Sequence, residues 1–207
     1  MLTKPEIACA IIEGISSVRE DEELQDFVVE VEGKEFKCHR LILSACSGFF
    51  RGLLRSGMKE SQKLRTKLEG VSMETFTDIL ETLYTGCNNL TRDNVLNVWL
   101  ASDQLQITVV FDNCVDFITN NICNETVISV WEIASQLMHK NIIELCTTFI
   151  NFIKKNYEHV INSETFLCLS ETYLLEIING QDLIVSTEDV VIESILNWVN
   201  NGSQIKS

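Results

Sequence analysis

The chain has 207 residues, enough for one large domain or two small ones. Its 30 acidic residues against 16 basic ones leave a formal charge of −14, which argues against a surface built for phosphate backbones or anionic lipid. With 45% hydrophobic residues it can bury a core, and one proline with only 9 glycines points to a mostly helical chain, not a turn-rich propeller or large sandwich.

Residues 5–19 carry Ile7, Ile11, Ile15 and Val18 at helical spacing. Thr3 is placed to cap this helix and Pro5 suits its first turn. The apolar stripe has no evident neighbour in the chain, so the helix must fold back or pack on another chain. Residues 27–38 change period. Strand-forming residues lead to Glu32-Gly33-Lys34 and resume at Glu35-Phe36-Lys37-Cys38, which predicts a hairpin. Residues 40–46 are almost wholly apolar, which predicts a short buried helix, and a second short helix covers 47–54. Leu64, Thr66 and Leu68 alternate with Arg65 and Lys67 as a third strand.

From Ser72 the pattern is helical throughout. Ser72 caps a helix that Gly86 closes, and Thr91 caps the next. Further helices are expected over 107–122, 125–138, 141–156, 163–169, 171–178 and 187–200, the last capped by Thr187. The chain therefore divides into an αβ front of about 120 residues and an all-helical back, with a polar seam at 120–124. The seam is too short for a flexible linker, so rigid packing of the halves is expected.

No apolar stretch with a small-residue cleavage site opens the chain, and no window is long and apolar enough for a membrane span. The eight cysteines, at 9, 38, 46, 87, 114, 123, 146 and 168, form no C-x-x-C pair. They read as reduced core thiols of a cytoplasmic protein, with the nucleus as a second compartment. His39 and Cys38 are adjacent at a strand end and point to opposite sides, which makes them poor partners for nucleophilic catalysis. No ligand spacing supports a metal, no glycine-rich loop a phosphate cofactor, and Lys34, Lys37 and Arg40 sit in acidic surroundings. The expectation is a protein that is not an enzyme, without cofactor or metal, binding neither nucleic acid nor membrane.

The run Asp26-Phe-Val-Val-Glu-Val-Glu-Gly33-Lys-Glu-Phe36-Lys-Cys-His39-Arg40-Leu-Ile-Leu43-Ser-Ala-Cys46-Ser47-Gly-Phe49-Phe50 resembles the signature of the BTB/POZ domain. Ordered matches continue through Met58-Lys-Glu60-Ser61, Leu83-Tyr-Thr-Gly86 and Ala101-Ser-Asp-Gln-Leu105. Cys114-Val-Asp-Phe117-Ile118, Val130-Trp131-Glu-Ile133-Ala134 and Val191-Ile-Glu-Ser-Ile-Leu-Asn-Trp198 resemble the 3-box and BACK regions of the Kelch-like family. The resemblance implies an α+β BTB/POZ fold with a small sheet over 1–121, then an all-α 3-box and BACK region over 122–207.

It also implies a non-catalytic substrate adaptor of the cullin-3 ubiquitin ligase, acting as a homodimer or with related BTB proteins. The dimer face would include Ile7, Ile11, Ile15, Asp26 and Arg40. Met58, Lys59 and Glu60 match the loop that docks the cullin-3 N-terminal domain. Cys114, Phe117, Ile118 and Val130 match the 3-box, although Thr126 to Val130 departs from the family's Asn-Cys-Leu-Gly-Ile. Kelch-like chains continue into a propeller that reads substrate. BACK is therefore expected to be cut short at Ser207, with the substrate reader absent. Two alternatives stand beside this reading: a BTB dimer that binds co-repressor peptides, and a short regulator that lacks a substrate-reading domain.

Overall fold

The computed structural model describes residues 4–55, 64–124, 126–137, 142–180 and 182–205. They form two compact units, 1–120 and 121–207.

The N-terminal unit opens with α1 (Pro5–Ser17), then β1 (Phe27–Val31), β2 (Lys34–Cys38), α2 (Arg40–Cys46), α3 (Gly48–Arg55), β3 (Arg65–Leu68), α4 (Met73–Thr85), α5 (Val95–Gln104) and α6 (Thr108–Asn120). The sheet order is β2-β1-β3, with β1 antiparallel to β2 and parallel to β3. The expected hairpin forms around Glu32 at φ 51° and Gly33 at φ 83°. Two consecutive positive φ values make the tight turn whose twist matches that of the strands. In β1, Phe27, Val29 and Val31 are buried while Val28 and Glu30 are half-buried, so period two sets the core face. Phe76, Ile79, Leu80 and Tyr84 of α4 are buried too, and Phe36 of β2 meets Phe76 edge to face at 5.2 Å. Val98 and Trp99 of α5 and Phe111, Cys114 and Ile118 of α6 complete the core.

Local chemistry sets the helix ends. Ser72 Oγ accepts from the Thr75 N–H, and Gly86 closes α4 at φ 71°. Ser47 Oγ donates to the Leu105 carbonyl and accepts from the Phe50 N–H, which starts α3 against the loop after α5. A Cβ on Gly48 would lie 2.5 Å from Gln106 Oε1 and 3.0 Å from its Cβ, so any larger residue would force the Gln106 side chain to shift.

Four expectations are adjusted. Lys4 occupies the cap position of α1 without a side-chain cap bond, while Thr3 lies outside the described residues. Thr91 and Asn94 exchange side-chain bonds with each other's N–H groups in a turn, so the regular helix begins at Val95. The last helix extends to Ile205. Most consequentially, α2 is not buried all round: Leu43 is, but Leu41 is 77% exposed. α2 packs on α3 and α4, and Leu41 stands exposed among the described residues.

The C-terminal unit holds α7 (Val127–Gln136), α8 (Ile142–Lys155), α9 (Tyr157–Val160), α10 (Glu164–Leu167), α11 (Glu171–Ile178) and α12 (Glu188–Ile205). Its core gathers Trp131, Phe149, Ile153, Tyr157, Phe166, Leu174 and Ile177. Ser163 and Ser170 cap α10 and α11 through their hydroxyls. Among the described residues, no helix is long and apolar enough to cross a membrane.

Candidate functional site

The N-terminal unit carries two helices with exposed apolar residues, α1 and α2. None of the thirteen residues of α1 is buried. One edge of the helix turns inward on its own chain: Ile12 lies 3.6 Å from where a Cβ on Gly86 would stand. Just beyond, Arg19 pairs with Glu81 and sits over the Tyr84 ring at 5.4 Å. Ile7 and Ile11 point away, 58% and 57% exposed, and Ile15 is half-buried. The helix therefore folds back with one edge and leaves an apolar stripe open.

On α2, Leu41 and Ala45 are exposed. Arg40, Leu41, Ser44, Ala45, Arg51, Leu54 and Arg55 line a groove of about 440 Å³. Arg51 is committed within it: Nε and Nη2 donate to the Ser44 and Ala45 carbonyls at 2.8 Å, satisfying the end of α2 where its dipole favours a cation. Among the described residues the Arg40 and Arg55 side chains have no ion-pair partner, so the rim is basic in an otherwise acidic chain.

Asp26 is exposed, and its carboxylate accepts from the Arg40 backbone N–H at 2.7 Å. His39 occupies the cap position of α2 without a side-chain cap bond, so a carboxylate fourteen residues upstream serves the helix start. The pair joins strand and helix through the backbone, and Asp26 has a direct part in holding the fold.

Cys38 and His39 diverge, as adjacent strand-end residues must. The His39 backbone N–H donates to the Tyr84 hydroxyl at 3.1 Å, and the ring Nδ1 lies 2.8 Å from the same oxygen. The Tyr84 hydroxyl thus ties both the backbone and the ring of His39 to α4. Cys38 is fully buried, and burial pushes its thiol up to about 12. A group this hard to ionise is not a nucleophile at neutral pH. Burial also raises Cys114 to about 12, and Tyr84 to about 12 against the partial opposition of its bond from His39.

These shifts fix a pH dependence. An unfolded thiol near its ordinary 9.0 releases its proton before the folded one does, so the folded state binds more protons above pH 9. Stability is unaffected by these groups below that value and falls as pH rises through 9 towards 12. The urea midpoint should drop between pH 8 and pH 10, and Cys38→Ala with Cys114→Ala should flatten the slope. An equal slope in the double variant would assign the loss to other groups.

Of the 3-box residues, Cys114 and Ile118 of α6 and Val130 of α7 are buried, and Phe117 is half-buried. They support their helices from inside. Met58, Lys59 and Glu60 lie outside the described residues, in the segment between α3 and β3. Leu41 is the residue that reading the sequence missed. Its signal was the absence of a polar side on α2, since a helix apolar all round has more surface to cover than one small unit can supply.

Comparison with known proteins places this geometry. Residues 15–122 match the BTB/POZ domain and residues 127–207 match the domain described as BTB And C-terminal Kelch. The chain is 33% identical over 193 residues to Kelch repeat and BTB domain-containing protein 8 of Danio rerio, covering 93% of this chain and 32% of that protein. It is 30% identical to Kelch-like protein 40b of Danio rerio over 192 residues and to Kelch-like protein 24 of Homo sapiens over 189. Those matches cover 93% and 91% of this chain, and 31% of each relative. The chain thus spans about a third of the length of these relatives. Among solved structures, the BTB domain of human gigaxonin matches with a TM-score of 0.50 at 26% identity, over 56% of this chain and 95% of that one. The BTB domain of zebrafish PATZ1 shares the fold at 20% identity, with a TM-score of 0.50 over 58% of this chain and 98% of that one.

Proposed function

The chain belongs to the BTB/POZ proteins, in the BTB–BACK arrangement of the Kelch-like family, and on that premise we propose that it is the assembly half of a cullin-3 ubiquitin-ligase adaptor. In this reading it is a cytoplasmic dimer without an active site. It acts by geometry, holding a substrate-bearing partner or domain near the ubiquitin-charged enzyme, and proximity supplies the rate.

The observation that carries the reading is α1, a helix in a BTB frame that buries none of its residues and turns Ile7 and Ile11 outward. A second copy supplies the missing cover. The groove at Leu41 and Ala45 offers an apolar floor, and Arg40 and Arg55 at its rim oppose in sign the exposed Glu6 and Glu13 of α1. The dimer face is thus Ile7, Ile11, Ile15 and Leu41, with Arg40 at its edge and Asp26 holding α2 in place.

Scaffold docking is assigned to Met58-Lys59-Glu60, whose hydrophobic-x-Glu pattern resembles the family's docking loop and falls within the span of the BTB/POZ match. Met58 is an adaptable apolar anchor, and Glu60 a charged partner for the scaffold. The test is binding of the full chain to the cullin-3 N-terminal domain by calorimetry. Met58→Asp with Glu60→Ala should weaken binding roughly 30-fold or more, the scale of a lost interface anchor. Unchanged affinity would remove the docking assignment, and no binding by the parent chain would remove the adaptor reading.

A further inference from the structure

We propose that Cys9 and Cys87 form a reversible disulfide that fastens α1 to the end of α4 within one chain. Not all the thiols are core residues. In the N-terminal unit Cys38 and Cys114 are buried and Cys46 is half-buried, while Cys9 and Cys87 are free and exposed. Burial also raises Cys46, as it does Cys38 and Cys114, so thiol exchange favours the exposed pair.

The packing of α1 on α4 brings the two together. Cys9, Ile12, Ser16 and Arg19 are spaced three, four and three, which makes one row along α1 and the turn after it. That row is the edge that meets its own chain. Ile12 lies 3.6 Å from where a Cβ on Gly86 would stand, and Arg19 pairs with Glu81 and covers the Tyr84 ring. From Ile12 to Arg19 the contacts therefore run backwards along α4, so the helices pack antiparallel. One turn before Ile12 the row passes Gly86 and reaches the residue that follows it, Cys87. The step from Ile12 to Cys9 rises about 4.5 Å along the axis, and the step from Gly86 to Cys87 is one Cα spacing of about 3.8 Å, in the same direction. Cys87 is also held near the helix end. Its backbone N–H donates to Thr85 Oγ1 at 3.0 Å, and that hydroxyl donates to the Glu81 carbonyl at 2.8 Å.

Ile7 and Ile11 each stand two residues from Cys9, roughly 200° round the helix. The tie thus forms on the side away from the apolar stripe and does not depend on the dimer. Because α1 buries none of its residues, a covalent bond adds much to what holds it.

The oxidant is a small disulfide such as oxidised glutathione. The Cys87 thiolate attacks one of its sulfurs, forming a mixed disulfide and releasing one glutathione thiolate. The Cys9 thiolate then attacks Cys87 Sγ and expels the second glutathione. Two electrons pass from the protein thiols to the glutathione disulfide, and the two protons lost go to the departing thiolates. Excess reduced glutathione runs the same steps backwards.

The experiment equilibrates the full chain in glutathione redox buffers, alkylates the remaining thiols, and maps disulfides by mass spectrometry of a digest made without reductant. The oxidised chain should alkylate at two fewer thiols and yield one linked pair of peptides, carrying Cys9 and Cys87. A mixture of isotope-labelled and unlabelled chains should give no hybrid pair. Cys9→Ser should leave Cys87 as a glutathione adduct, with circular dichroism unchanged. Oxidation should slow hydrogen exchange at Ile11 to Ile15 roughly tenfold or more in the parent and leave Cys9→Ser unchanged. Glutathione adducts at both sites without a link, a link to another cysteine, or hybrid pairs that show bonding between copies would overturn the proposal. So would a Cys9–Cys87 link that leaves exchange in α1 as it was, or equal slowing in Cys9→Ser.

Discussion

A chain carrying Ile7→Glu and Ile11→Glu is expected to sediment as a single species of 23.5 kDa, where the proposed dimer of the parent would run at twice that mass. Both side chains are more than half exposed in the single chain, so the substitutions remove no core contact. Full burial of an isoleucine is worth about 1.5–3 kcal/mol, and roughly half of that is still available at each of these positions. A symmetric dimer uses each of them twice, which places the apolar contribution at about 3–6 kcal/mol, or two to four decades in dissociation constant. Carboxylates at the same positions add the cost of desolvating charge. Ile12→Ala is the contrasting control. Ile12 packs over Gly86 in its own chain, so its loss should loosen α1 from α4 and leave the association state alone. Analytical ultracentrifugation reads both results. A parent that is already monomeric, or a double variant that keeps the double mass, would remove α1 from the interface.

Phe76→Ala is expected to destabilise the N-terminal unit by about 3–5 kcal/mol, the range for removing a large aromatic side chain from a packed core. Phe76 is fully buried on α4 and meets the Phe36 ring edge to face at 84°, so it joins the helix to the hairpin. Its loss removes transfer energy and an aromatic pair together, and leaves a void between rigid elements. A domain with 5–15 kcal/mol in hand would lose a large share of its margin. Hydrogen exchange checks this at the central strand. The amides of Val29 and Val31 lie in the middle of the sheet and should open only with the whole unit. Their exchange should accelerate roughly 10²–10⁴-fold. Faster exchange confined to α4, with β1 unchanged, would mean that the helix is held independently of the sheet.

Much of this architecture is legible in the residues, and each instance has a local cause. Ser72 and Gly86 bound α4 because a hydroxyl and an absent Cβ do their work within one turn. The Glu32-Gly33 turn follows from the change of period on either side of a glycine that accepts positive φ. Residues 171–178 form a helix at the predicted bounds because the cap, apolar row and terminus all lie within the segment. Where causes are distant, the reading was less complete. The start of α2 is satisfied by Asp26 from across the hairpin, a bond that no window around His39 contains. The parallel pairing of β1 with β3 joins strands that are distant in the chain, with β2, α2 and α3 between them among the described residues, and alternation in either strand is silent about the partner's direction.

The sequence by itself determined an acidic, helical, two-part chain, the positions of most helices and strands, and, through ordered motifs, its BTB–BACK membership. These rest on periodicity, caps and residue order, which act over a few neighbours and survive in a one-dimensional record. The tertiary structure decided which apolar faces are covered. Leu41 and Leu43 belong to the same short helix, yet among the described residues one is open and the other sealed, because Leu43 lies on the side that packs on α3 and α4. It likewise decided that Ile12 turns inward while Ile7 and Ile11 do not, and that Trp198 anchors α12 while Leu196 faces out. Burial is a property of what stands opposite, and what stands opposite is set by packing between distant segments. An apolar residue announces that it must be covered, and the assembled fold shows which ones its own described residues cover.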